Sequence, residues 1–208
     1  MSSGVGPGVF LDRGSLGGDD LDFSTLLRAL PDWRFHEVTA AADVAERIRD
    51  AEVVVANKTL LRADVLRTTS RLRLICIAAT GTNNVDLAAA AECGIAVCNV
   101  RAYATPSVSQ HVFTLLLALM GHLLEYDAAV KAARWQASRQ FCLLDYPIAE
   151  LAGKVFGIVG YGELGKAVAR LARGFGMDVV IAARTGGEAS GRLPLETLLR
   201  MADVVSLH

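Results

Sequence analysis

Three glycines in the run Gly160-Tyr161-Gly162-Glu163-Leu164-Gly165 have the spacing G-x-G-x-x-G. At that spacing the first glycine permits a tight turn out of a strand, and the second lets the backbone approach a pyrophosphate with no Cβ in the way. The third lets the following helix pack closely on the strand. An anion held there rests on backbone N–H groups at the positive end of the helix dipole. The same letters also describe an ordinary strand-to-helix turn, so the surroundings decide. Here Lys154-Val155-Phe156-Gly157-Ile158-Val159 reads as a buried strand before the loop, Lys166–Phe175 as an amphipathic helix after it, and Asp178–Ala182 as a second strand. That is the setting a dinucleotide-binding loop requires.

About 20 positions past such a loop an acidic residue ordinarily bonds the adenosine ribose 2′-hydroxyl and selects NAD. The corresponding place here is Ala183, followed by Arg184 and Thr185. With no carboxylate to repel it, a 2′-phosphate is admissible, and Arg184 offers a planar fork that pairs with phosphate. NAD and NADP therefore both stay open as cofactors, and Arg184 also reads as a solvated charge after a strand.

These residues need an α/β scaffold, and the rest of the chain supplies its pattern. Short apolar or β-branched runs at Val9–Leu11, Phe35–Val38, Val53–Ala56, Leu74–Ala78 and Ala96–Asn99 alternate with segments of helical periodicity at Leu21–Leu30, Ala42–Arg49, Ala63–Arg67 and Val85–Cys93. Near Arg101 the rhythm changes, which places a domain boundary there. A helix is predicted over Ser107–Ala133, apolar enough in its first half to pack between domains or on a partner subunit. Arg134 to Ala149 has no assignable structure. A short helix at Leu195–Arg200 and a strand at Val204–Leu207 close the chain.

Composition narrows the partners. The 208 residues suffice for one large domain or two small ones, and 52% hydrophobic content fills a sizeable core. With 21 basic against 22 acidic residues, a net charge of -1 and no Lys/Arg run, the chain lacks the footprint of a nucleic-acid binder. The longest apolar run, Val112–Met120, falls short of the roughly 20 residues a membrane helix needs. Met1–Gly8 reads as a flexible leader without the features of a secretory signal, so a cytoplasmic protein is expected. Cys76, Cys93, Cys98 and Cys142 form no C-x-x-C pair and have no clustered histidines, which predicts buried, reduced thiols and no metal site.

Three blocks in order carry a family resemblance: Ala78-Ala79-Thr80-Gly81-Thr82-Asn83-Asn84-Val85-Asp86, then Asn99-Val100-Arg101-Ala102-Tyr103-Ala104-Thr105-Pro106-Ser107-Val108-Ser109-Gln110-His111, then Gly157 through Gly165. Together they resemble the D-isomer-specific 2-hydroxyacid dehydrogenases, most of all the glycerate dehydrogenase and hydroxypyruvate reductase branch, over nearly all of Val9 to His208. The resemblance implies two Rossmann-like, doubly wound parallel-sheet domains. One is a flavodoxin-like substrate-side lid over residues 9–101, lacking its closing helix, and the other an incomplete NAD(P)-binding domain over 102–208. It implies hydride transfer between NAD(P)H and a small 2-oxo acid, hydroxypyruvate or glyoxylate, in a homodimer.

By the same resemblance, the turn Ala79-Thr80-Gly81 offers backbone N–H groups to the substrate carboxylate, and Thr80 also approaches the nicotinamide side. A glycine-containing turn after a strand can aim several donors at one anion, although a plain strand-to-helix turn, with Asp86 near the next helix start, fits these residues too. Lys58, beside Asn57 after another strand, adds a cation to the same cleft or is an exposed loop lysine. Tyr103 and Thr105 flank the hinge and are expected to line the cofactor cleft, whereas His111 reads as a packed helix residue. The family's catalytic Arg, Glu and His fall beyond His208, so no catalytic residue is assigned, and an inactive, truncated chain is expected. The competing function is a non-catalytic NAD(H) sensor or corepressor-like protein; an interaction scaffold leaves the three blocks unexplained.

Overall fold

A computed structural model of the chain describes residues 6–18, 20–30, 32–184 and 191–208. Its contacts divide it into two compact units, Met1–Tyr103 and Ala104–His208. In the first, strands and helices alternate as β1 Gly8–Phe10, α1 Ser24–Ala29, β2 Trp33–Phe35, α2 Val44–Ile48, β3 Val53–Ala56, α3 Ala63–Leu66, β4 Leu74–Ile77, α4 Leu87–Glu92 and β5 Ala96–Asn99. All strand pairs are parallel, in the order β2-β1-β3-β4-β5. This is the flavodoxin-like arrangement that the resemblance implies. Its strand order reverses between β1 and β3, and the carboxyl ends of strands at such a point are where open α/β sheets bind ligands.

Alternation along the strands sends Val9, Leu11, Val54, Ala56, Ile75 and Ile77 to one face, where they meet Val44 and Ile48 of α2, Leu66 of α3 and Ala89 and Ala90 of α4 in a fully buried core. At the other edge Phe10, Phe23 and Phe35 pack edge-on and tilted, with centroids 5.4 to 6.1 Å apart.

The second unit contains α5 Thr105–Met120, α6 Leu123–Lys131, α7 Arg134–Ala137, β6 Val155–Val159, α8 Glu163–Gly174, β7 Asp178–Ile181, α9 Leu195–Met201 and β8 Val204–Leu207. Its three strands are parallel in the order β7-β6-β8. Phe156 and Ile158 of β6 pack against Val168, Ala169 and Ala172 of α8 and against Phe113 and Leu116 of α5. The apolar helix α5 thus buries one stripe within its own unit. Among the described residues no single helix is long and apolar enough to cross a membrane.

Several expectations need correction. The helix predicted over 107–133 is two helices bent by 58°, because Gly121 ends the first and His122 takes a left-handed φ of 47° before the second; glycine costs a helix interior about 1 kcal/mol relative to alanine. The second strand lies at Trp33–Phe35 rather than Phe35–Val38. Its register pairs Trp33 with Gly8 and Phe35 with Phe10, leaving Val38 77% exposed. Gly8, read as leader, begins β1, and Pro7 accepts a hydrogen bond from the Glu52 N–H. The cysteines are free but not buried: Cys93 and Cys98 are exposed, and Cys76 and Cys142 are partly so. His111 is exposed rather than packed. Lastly, α8 starts at Glu163 rather than Lys166, so its first turn lies inside the glycine loop.

Candidate functional site

The loop from β6 to α8 is built by the three glycines in three different ways. Gly160 has a φ of 96°, a conformation glycine adopts without strain, and a Cβ there would collide with the carbonyl oxygen of His208 at the end of β8. Gly165 is buried, and its Cβ would collide with the carbonyl oxygen of Gly160, so the helix comes down onto the turn. Gly162 differs: it is exposed, and a Cβ there would have nothing within 4 Å. It caps α8 with no side-chain hydrogen bond to the first-turn amides, while its own carbonyl accepts from Lys166 at 3.0 Å. The first N–H groups of a helix have no partner within it; here they carry no side-chain cap, and they stand at the dipole's positive end beside the open space over Gly162. The chemistry of this cradle fits a pyrophosphate.

Tyr161 packs partly against the second unit's core, and Glu163 and Leu164 form the first turn of α8. Ala183 and Arg184 follow β7, with Arg184 exposed; Thr185 lies outside the described residues. An arginine missed by the sequence reading stands close by. Leu193 bonds alongside β7, donating to Ile181 at 2.8 Å and accepting from Ala183 at 2.7 Å. That pairing carries Arg192 to the loop, its guanidinium carbon 5.9 Å from the centre of the Tyr161 ring. No local motif marks it, because the contact depends on how the chain returns past β7. His208 donates its N–H to Val159 at 2.9 Å, and burial pushes its imidazole below the usual 6.5. Thr105 begins α5, and its hydroxyl is buried with no hydrogen-bond partner among the described residues.

In the first unit, Lys58 and Ala79-Thr80-Gly81 lie at the carboxyl ends of the neighbouring strands β3 and β4. Ala79 is buried, whereas Thr80, Gly81 and Lys58 are exposed. The turn at Thr80 is tied down from β5: the Asn99 side-chain amide donates to the Thr80 carbonyl at 2.6 Å, and Val100 N–H donates to Ala79 at 3.1 Å.

The turn at Lys58 is organised by Asp12, which lies two residues past the end of β1 and is 6% exposed. One carboxylate oxygen accepts from Asn57 N–H at 2.8 Å. The other accepts from Lys58 N–H at 2.6 Å, Thr59 N–H at 2.7 Å and the Thr59 hydroxyl at 2.9 Å. Buried Asn84 joins the two turns by donating to the Thr59 carbonyl at 3.1 Å. A hollow of about 380 Å³ opens there, lined by Asp12, Gly14, Ser15, Thr39, Lys58 and Thr59 among others. Asp12 and Asn84 were not singled out from sequence; an acidic residue directly after a buried strand was the available signal.

The chain thus has a glycine cradle in one unit and a cation-bearing rim in the other. Among the described residues no group of three or more His, Cys, Asp or Glu side chains is placed to hold a metal.

Comparison with known proteins gives the family. The sequence model described as the D-isomer specific 2-hydroxyacid dehydrogenase, catalytic domain, matches residues 19–206, and the chain belongs to that family. It is 41% identical over 202 residues to a glycerate dehydrogenase of Methylorubrum extorquens, covering 96% of this chain and 62% of that protein. It is 35% identical over 208 residues to a hydroxypyruvate reductase of Blautia hydrogenotrophica, covering 96% and 64%. A D-lactate dehydrogenase of Aquifex aeolicus, solved with NAD and lactic acid, superposes with a TM-score of 0.78 at 25% identity, covering 97% of this chain and 60% of that one. The chain therefore spans a little under two thirds of the length of these relatives.

Proposed function

We propose that this chain binds NADP in preference to NAD and a small 2-oxo or 2-hydroxy acid, and serves the interconversion of the two by hydride transfer, with hydroxypyruvate/glycerate or glyoxylate/glycolate as substrate. The observation that carries the reading is the open backbone over Gly162 at the start of α8, where a Cβ would meet no atom of the described residues within 4 Å and no side chain caps the first-turn N–H groups. A bound nicotinamide would supply the hydride donor or acceptor for the carbon that bears the oxygen. The residues of the chain bind and orient. Gly160, Gly162 and Gly165 hold the pyrophosphate, and Arg184 and Arg192 receive the 2′-phosphate that the absence of a carboxylate at Ala183 admits. Thr80 and Gly81 offer backbone N–H groups, and Lys58 a charge, to the substrate carboxylate. The family membership, and the names of the Methylorubrum and Blautia relatives, support this substrate class.

The test is a pair of titrations on the purified chain. NADPH quenches tryptophan fluorescence at least about tenfold more tightly than NADH, a difference of roughly 1.4 kcal/mol, and Arg184→Ser with Arg192→Ser removes that difference. Equal or tighter NADH binding refutes the NADP assignment, and failure of a folded chain to bind either nucleotide refutes the cofactor site. Oxamate, a 2-oxo acid mimic, shifts the amide resonances of Thr80 and Gly81, and Lys58→Met weakens its binding about fivefold, as expected for one exposed charge pair worth ~1 kcal/mol. Unmoved Thr80 and Gly81 resonances at saturating oxamate refute the carboxylate site.

A further inference from the structure

Cys76 and Cys98 stand opposite one another, in register, on the neighbouring parallel strands β4 and β5. Adjacent strands lie roughly 4.8 Å apart, within the Cα separations of ~4.4–6.8 Å that a disulfide spans. Their side chains share a face, because Ile75, Ile77 and Val97 alternate into the core on the other. The Cys98 thiol donates to the Cys76 sulfur at 3.4 Å, and closing that gap to a bond of ~2.05 Å takes a small side-chain rotation. Both sulfurs are within reach of a soluble reagent: Cys98 is exposed, and Cys76 lines a hollow of about 680 Å³ with Leu74, Ala78 and Val100.

We propose that Cys76 and Cys98 form a reversible dithiol–disulfide site that reacts with low-molecular-weight disulfides of the glutathione disulfide type. The Cys98 thiolate attacks one sulfur of the reagent; the reagent's S–S bond breaks, and one half leaves as a thiolate that takes up the proton Cys98 lost. A mixed disulfide remains on Cys98. Cys76, in contact with that sulfur, then attacks it and expels the second half, which takes up the Cys76 proton. Two protein thiols are oxidised to one disulfide, and one reagent disulfide is reduced to two thiols. Burial pushes the Cys76 thiol up to about 12, which fits it to the second, intramolecular step rather than to the first encounter. The new bond joins the ends of the segment that carries the Thr80-Gly81 turn, one residue before Asn99, whose side chain holds Thr80.

The experiment treats the whole chain with excess glutathione disulfide, blocks remaining thiols by alkylation and maps peptides by mass spectrometry. The expected result is a Cys76–Cys98 cross-link, alkylation retained at Cys93 and Cys142, and return of all four thiols on adding dithiothreitol. Cys76→Ser stops the reaction with glutathione attached to Cys98, and Cys98→Ser leaves Cys76 reduced. The proposal is overturned if the wild-type chain accumulates glutathione on Cys98 with no cross-link, keeps four alkylatable thiols, or links other cysteines. Because the wild-type map decides by itself, a variant that fails to fold leaves the test intact.

Discussion

Replacing Asp12 with asparagine tests the network that sets the position of Lys58. The carboxylate accepts four hydrogen bonds, one at the oxygen facing Asn57 and three at the oxygen facing Lys58 and Thr59. Asparagine has the same shape but one acceptor oxygen, so its better orientation keeps the three bonds and turns an NH2 group toward the Asn57 N–H. Asn57 is 8% exposed, and a buried donor without a partner costs about 1–3 kcal/mol. The three retained bonds lose their charge assistance, roughly half their strength. Together these give a loss of about 3 kcal/mol, which is large for one substitution. With a urea dependence of about 2 kcal/mol per molar, the unfolding midpoint falls by roughly 1.5 M. The assay is urea unfolding followed by Trp33, on β2 beside β1, in a Trp135→Phe background that silences the other indole. A midpoint loss below about 0.5 M, equivalent to ~1 kcal/mol, refutes the reasoning, since it would show the turn rehydrating at little cost.

Gly160→Ala meets both a left-handed φ and the His208 carbonyl, so it destabilises the second unit by about 2–3 kcal/mol, read as a lowered thermal midpoint; an unchanged midpoint contradicts the packing described for β6 and β8. Burial, then the charges of Arg47 and Arg34, hold His36 below 6.5, so the folded chain takes up its proton less readily than the unfolded chain. The associated stability is complete above pH 6.5 and is lost as pH falls from there toward the folded value. Urea midpoints at about pH 7.5 and about pH 5.5 therefore differ, and His36→Gln reduces that difference; an undiminished difference rules His36 out as its source.

Much of this was legible because it is local. The run from Lys154 to Asp178 places strand, glycine loop, helix and strand within a short span, and α/β alternation in the first unit follows from apolar periodicity alone. What escaped depends on contacts distant in sequence. Asp12 acts on residues some 45 positions later, Arg192 reaches Tyr161 through pairing with β7, and β2 shifted because aromatic packing on Phe10 outweighed the apolar appearance of Val38. The cysteines show a further limit. Leu74-Ile75-Cys76-Ile77 is apolar throughout, which reads as buried on both faces, and nothing in the run tells which face helices cover. The break at Gly121–His122 did carry a local signal, the glycine itself, but the apolar pattern on either side masked it.

The central claim is that the backbone over Gly162 receives the pyrophosphate, and Gly162→Ala tests it most directly. A Cβ there meets no protein atom within 4 Å, and the backbone is extended with φ -85°, so the variant folds with a loss under about 1 kcal/mol, the usual cost of alanine at a helix N-cap. The added methyl group fills the space the ligand needs. NADPH titration of wild type and variant, with thermal midpoints measured in parallel, is predicted to show binding at least about tenfold weaker at nearly unchanged stability. A folded Gly162→Ala chain that binds NADPH as tightly as wild type would contradict the account.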